Sequence, residues 1–186
     1  VSTDALFAAG FTCIGWMWAD LINLTHWLNP HIRWELQVPQ GIQRNGSYLV
    51  IANHLSWLDI LVFFKAFNRR IAPPRFFIKP PKRWNLMFRA ICWFLDFLVM
   101  QRYSKEFLEQ HPELDGQDLE TTRRFCRKFK NRPFTVMNFV EGTRFTRAKH
   151  DEQGSPYLHL LKPKAGGAAF TLKAMGGQLH KLLDFT

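Results

Sequence analysis

Two short apolar runs, each ending abruptly in a polar loop, set the frame for this chain. Ser47-Tyr48-Leu49-Val50-Ile51-Ala52 is the first, and Asn53-His54-Leu55-Ser56 follows it. Phe134-Thr135-Val136-Met137-Asn138-Phe139-Val140 is the second, and Glu141-Gly142-Thr143-Arg144 follows that. Runs of this length and composition predict buried strands. After the first, Trp57, Leu58, Ile60, Leu61, Phe63 and Phe64 recur at helical spacing up to Phe67, with Asn53 and Ser56 as candidate N-caps. A strand-to-helix turn of this kind puts His54 at the exposed end of a sheet, where catalytic groups collect in α/β folds.

On one continuous helix His54 and Asp59 would lie about 140° apart, because each residue turns about 100°. They meet if His54 sits in the loop and Asp59 in the first turns of the helix. An aspartate bonded to one ring nitrogen fixes the tautomer and stabilises the imidazolium formed when the other nitrogen takes a proton. That is general-base chemistry, and a bound alcohol can serve as the nucleophile. In the second block Gly142 permits a turn that other residues resist. Arg144 carries a planar fork suited to phosphate. Glu141 is placed to accept a hydrogen bond from a substrate hydroxyl or to hold Arg144. Either block alone is weak. Seven His and fifteen Asp plus Glu produce such pairs by chance, Ser56 also reads as a plain cap, and the second block also fits a surface turn with a solvated ion pair.

Together, Asn53-His54-x-Ser56-x-x-Asp59 and Phe139-Val140-Glu141-Gly142-Thr143-Arg144 resemble the first and third motifs of the glycerolipid acyltransferase family. The best-known members are the 1-acylglycerol-3-phosphate acyltransferases. The blocks occur in the family's order, 87 residues apart from His54 to Glu141. Lys79, in Phe76-Phe77-Ile78-Lys79, and Arg102, after Phe97-Leu98-Val99-Met100-Gln101, match two further basic positions. The resemblance runs from about Trp34 to the C-terminus, and is strongest to a bacterial branch reading F-V-E-G-T-R-F-T. Three departures stand out. Val140 replaces the usual proline, Leu86-Met87-Phe88-Arg89 lacks a glycine of the second motif, and the fourth motif, a strand with proline, is missing.

The resemblance implies transfer of a fatty acyl group from acyl-CoA or acyl carrier protein to the free hydroxyl of a lysophospholipid. The leading acceptor is 1-acylglycerol-3-phosphate, with another lysophospholipid as the alternative. His54 and Asp59 would be catalytic. Lys79, Arg102, Glu141, Gly142, Thr143 and Arg144 would bind substrate. No cofactor beyond the donor's carrier group and no metal is implied. The expected partners are the two substrates and an anionic membrane surface on the cytoplasmic side, the inner membrane in a bacterium.

Charge agrees with anionic partners. The formal net charge is +10, and residues 60–95 carry Lys65, Arg69, Arg70, Arg75, Lys79, Lys82, Arg83 and Arg89 without an acid. Interleaved aromatics favour a functional surface there. Arg123, Arg124, Arg127, Lys128 and Lys130 read instead as the solvated face of a helix with an apolar stripe. A nucleic-acid-binding module is the competitor from another class, but the basic residues are dispersed and no module pattern is present. An esterase would need a nucleophile elbow that is not visible. Cys13, Cys92 and Cys126 lack metal spacing and read as reduced packing residues. The remaining histidines read as structural or surface groups.

Alternating periodicities predict an α/β layer fold, and the resemblance implies a mixed sheet with helices on both faces. Strands are expected over 32–38, 47–52, 75–78, 97–101 and 134–140, and helices over 56–67, 84–95, 118–131 and from 164 to about 176. Residues 103–117 and 147–156 are expected as loops. Residues 1–30 read as an apolar, membrane-associated segment, and 31–186 as the acyltransferase domain. Ala5 to Ala19 carries no charge but is shorter than the about 20 residues a spanning helix needs. An interfacial helix, part of a spanning hairpin and a helix packed on the core all fit it. The family's sheet should take a further strand just after Leu183, so the domain is expected to lack its C-terminal strands and to leave an unpaired edge or exposed apolar surface near the end of the 165–176 helix.

Overall fold

The apolar run around Val50 becomes a strand with a neighbour on each side, which is why both its faces are apolar. The computed structural model describes residues 3–29, 31–78 and 132–186, with 86, 89–90, 98–99, 110, 120, 123–124 and 127 between them. The elements run α1 (Thr3–Leu28), β1 (Tyr48–Ala52), α2 (Leu58–Phe67), β2 (Pro74–Ile78), β3 (Leu98–Val99) and β4 (Thr135–Phe139). They continue with α3 (Arg147–Gln153), α4 (Gly166–Met175), a 3-10 turn at Gly176–Gln178, and β5 (Lys181–Phe185).

The sheet order is β3-β2-β4-β1-β5. Every described pairing is parallel, where a mixed sheet was expected. In register, Ala52 faces Phe139 across β1 and β4. Their C-terminal ends therefore share one edge, and the two polar loops leave the sheet side by side. Helices cover both faces, as expected. Tyr48, Val50, Ala52, Met137 and Leu183 pack with Phe63, Ala66 and Phe67 of α2. Leu49, Val136 and Phe134 pack with Met175 of α4.

Helix α1 uses one side to join this core. Ala19 and Ile22 are buried. Its polar residues tie to α2: Lys65 donates to Asn23 Oδ1, and Arg69 pairs with Asp20 at 2.7 Å. This corrects part of the charge reading. Lys65 fastens α2 to α1 and Arg75 is buried at 4% exposure in β2, so these two are not a free basic surface, while Arg69, just past α2, pairs with Asp20 and stays exposed. Arg123 and Arg127 are exposed and reach Glu120, as a solvated helix face requires. Cys13 is exposed rather than packed.

Three further expectations are corrected. Residues 32–38 alternate but form no strand. Ile32 and Leu36 lie exposed with only Trp34 and Val38 half-buried, so the alternation buries too little apolar surface to hold a strand. Residues 147–153, expected as loop, form α3. Thr146 caps it through Lys149 N, and Gly154 closes it in the left-handed region at φ 52°. Finally, the strand placed after Leu183 already begins at Lys181 and pairs with β1 along its whole length. Leu183 is its buried residue, and among the described strands β5 is the last on that side of the sheet, with Leu182 exposed, so an unpaired edge remains there. The helix over 84–95, the loop over 103–117 and the helix over 118–131 fall mostly outside the described residues.

Candidate active site

The first loop folds onto itself. Trp57 occupies the N-cap of α2 without a side-chain cap. Ser56 Oγ instead accepts from Leu58 N at 2.9 Å. Asp59, in the first turn, points back out of the helix. Its Oδ2 accepts from Leu55 N at 2.7 Å and Ser56 N at 2.9 Å, and lies 2.9 Å from His54 Nδ1. One carboxylate oxygen thus gathers three donors from three consecutive residues. Five residues suffice for this because the chain turns sharply before the helix begins. Asn53 takes no part in the capping.

Burial pushes the Asp59 carboxyl upward. The His54 hydrogen bond and the amides of Ser56 and Leu55 outweigh it and hold the carboxyl below its ordinary 3.8. Asp59 is therefore ionised at neutral pH, and Nδ1 of His54 carries the proton donated to it. In the neutral imidazole Nε2 is then the nitrogen with the lone pair, and it has no hydrogen-bond partner among the described residues. The ring stacks on Phe139 with centroids 4.0 Å apart and planes 18° apart. Phe139 in turn stacks on Phe76, at 6.2 Å. The imidazole is thus oriented by Asp59 at one nitrogen and by an aromatic wall along one face, with its other nitrogen available.

The second loop reaches further. Gly142 turns at φ 69°, and its N–H donates to Phe139 O. Arg144 is exposed and lies 5.0 Å from the Trp57 ring centroid, a cation–π contact that holds the guanidinium above the start of α2. His54 and Arg144 therefore share the C-terminal edge of the sheet. Thr143 Oγ1 accepts from Lys149 Nζ at 2.8 Å, and Lys149 also donates to Arg144 O at 2.9 Å. Val140, where the family resemblance expects proline, donates its N–H to Ala52 O at 3.0 Å. A proline has no N–H for that bond, so the departure adds a tie between β1 and β4.

Glu141 stands apart from its expected roles. It is 1% exposed. Its Oε1 accepts from His54 N at 3.2 Å and its Oε2 from Leu161 N at 3.1 Å. Neither oxygen reaches Arg144. Burying a carboxylate costs several kcal/mol, and charge-assisted bonds of about 1.5–3 kcal/mol each offset it.

Lys79 and Arg102 lie outside the described residues. Phe139, Trp57 and Lys149 were not singled out by sequence reasoning. Phe139 was visible as the residue before the second loop, but nothing in its own segment says that it meets His54. The pairing of β1 with β4 decides that. Among the described residues no group of His, Cys, Asp and Glu could hold a metal ion.

The family model described as Acyltransferase matches residues 33–180. No curated protein and no solved structure matches the chain.

Proposed function

The chain belongs to the acyltransferase family, and we propose that it moves a fatty acyl group from a thioester to the free hydroxyl of a lysophospholipid, 1-acylglycerol-3-phosphate first among them. The observation that carries this reading is the ionised Asp59 on His54 Nδ1 with Nε2 left over, on the same edge as the exposed Arg144.

In this reading Nε2 takes the hydroxyl proton as the oxygen attacks the thioester carbonyl carbon. The resulting imidazolium is stabilised by Asp59. The tetrahedral intermediate collapses, the C–S bond breaks, and the imidazolium returns its proton to the departing thiolate. The products are an ester and a free thiol, and His54 is regenerated. Positioned general-base catalysis of this kind contributes roughly 10²–10⁴-fold. Arg144 holds the acceptor phosphate by charge-assisted hydrogen bonds, with Lys79 and Arg102 assigned to the same task by resemblance. Acyl-CoA and acyl carrier protein both fit as donor.

The lipid acceptor is supported by where apolar groups are exposed. Met17, Leu21, Leu24 and Leu28 recur at helical spacing on the outer side of α1, with Met17 62% and Leu28 61% exposed. Trp57 and Leu58, beside the His54 loop, are 67% and 63% exposed. Exposed apolar surface of this kind marks a membrane or partner contact. No helix among the described residues is long and apolar enough to cross a membrane. The proposed arrangement has α1 lying along an anionic membrane surface on its cytoplasmic side.

The test is a mass-spectrometric assay with 1-acylglycerol-3-phosphate and both donor types. His54→Ala is expected to abolish transfer while circular dichroism stays unchanged. Near-normal turnover of that variant at saturating substrate would overturn the base assignment.

A further inference from the structure

We infer that Glu141 is a positioning residue, which sets His54 through the peptide backbone and does not touch the acceptor. The inference rests on the acyl-transfer reading for its kinetic consequence, but not for its geometry. His54 is held by its main chain on both sides from one loop. Its N–H donates to Glu141 Oε1 at 3.2 Å, and its carbonyl accepts from Phe145 N at 2.7 Å. Only the ring is left to Asp59 and Phe139.

The second carboxylate oxygen accepts from Leu161 N at 3.1 Å, and Leu161 is itself 1% exposed. Glu141 therefore bridges segments 87 residues before it and 20 residues after it. Each of these amides needs an acceptor, and a carboxylate supplies one at each oxygen. Glutamine supplies one acceptor and turns a donor toward the other amide. Aspartate keeps both acceptors but falls short by one methylene. At 1% exposure the carboxylate has no surface to offer a substrate hydroxyl. The guanidinium of Arg144 lies over Trp57 and makes no ion pair with Glu141.

A misplacement of about 1 Å at a reacting group can cost on the order of 10²-fold in rate. Glu141→Gln is therefore expected to lower kcat by roughly 10–100-fold, with KM for acceptor and donor changed less than about twofold. The hydrogen-bonded Nδ1–H proton of His54 should shift or broaden in the NMR spectrum of the same variant. Glu141→Asp should lower kcat without moving either KM. A raised KM for the phosphate acceptor at unchanged kcat would make Glu141 a substrate contact and overturn the inference. So would an unmoved His54 resonance. If the variants fail to fold, hydrogen exchange on the unaltered protein decides: the His54 and Leu161 amides should be protected like those of β1, and rapid exchange of both would overturn the clamp. These NMR and exchange readings need no activity. A failure of acyl transfer as the function, seen as no transfer by the unaltered protein, is thereby distinguished from a failure of the clamp.

Discussion

The loops after β1 and β4 leave the same edge of the sheet and are stabilised in opposite ways. The first is braced by its own residues. Asp59 gathers Leu55 N, Ser56 N and His54 Nδ1, none more than five positions away in sequence. The second is braced mainly at a distance. Glu141 bonds to His54 and Leu161, and Arg144 lies over Trp57. Self-bracing fixes the ring of His54, while its main chain is still held by Glu141 and Phe145 of the second loop. A loop braced by others transmits their placement, and it leaves its cation exposed for a ligand. The contrast supports the proposal that chemistry belongs to the first loop and recognition to the second.

The most forceful way to break this contrast is Asp59→Asn. It removes the charge and favours the wrong tautomer, so kcat should fall by up to about 10⁴-fold. The same residue makes a pH prediction. A depressed carboxyl contributes stability that is present above 3.8 and lost as pH falls through its lower folded value. Acid denaturation of the unaltered protein should show this component, and Asp59→Asn should lack it. Identical acid profiles would mean that Asp59 is not braced as described.

Arg144→Met sharpens the recognition side. Loss of a charge-assisted contact should weaken a phosphate-bearing acceptor by roughly 10–100-fold. A neutral monoacylglycerol should lose much less. Equal losses for the two acceptors would remove the recognition role. A smaller effect is expected from Gly142→Ala. An alanine at φ 69° is strained by about 1–2 kcal/mol, and thermal melting should report it. An unchanged melting temperature would mean the turn relaxes freely.

The smallest effect concerns α3, which follows the second loop. His150 Nδ1 meets Asp151 and its Nε2 meets Tyr157 O at 2.6 Å. The Asp151 bond, then the Tyr157 carbonyl, raise the imidazole above its ordinary 6.5. The contribution is therefore complete below 6.5 and is lost as pH rises through the higher folded value. An NMR titration of His150 should show the raised midpoint, and a midpoint below 6.5 would contradict it.

Much of the fold was legible because local periodicity and burial agree. Leu49 and Val50 are apolar neighbours in a strand flanked by strands on both sides, and Phe63, Ala66 and Phe67 mark the buried side of α2. Residues 32–38 show that alternation alone is insufficient, since a strand forms only where its backbone pairs with a neighbour and its apolar side is buried, and Ile32 and Leu36 stay exposed. Helix α3 shows the reverse. Arg147-Ala148-Lys149-His150-Asp151-Glu152-Gln153 has no buried residue and so no apolar stripe to read. Its signal lay in the ends, where Thr146 caps and Gly154 terminates.

At the candidate site the same division holds. The sequence by itself determined which chemistry is possible: a histidine and an aspartate at a spacing that a strand-to-helix turn can close, and a glycine where the second loop needs positive φ. Those are properties of short segments, set by rotation per residue, capping and steric freedom. Only the tertiary structure decided that Phe139 walls His54, that Arg144 sits over Trp57, and that Glu141 turns inward to two amides. Each of these depends on β1 and β4 lying in parallel register with Ala52 opposite Phe139. That register comes from burying apolar surface on both faces of the sheet, and burial sums over the whole core.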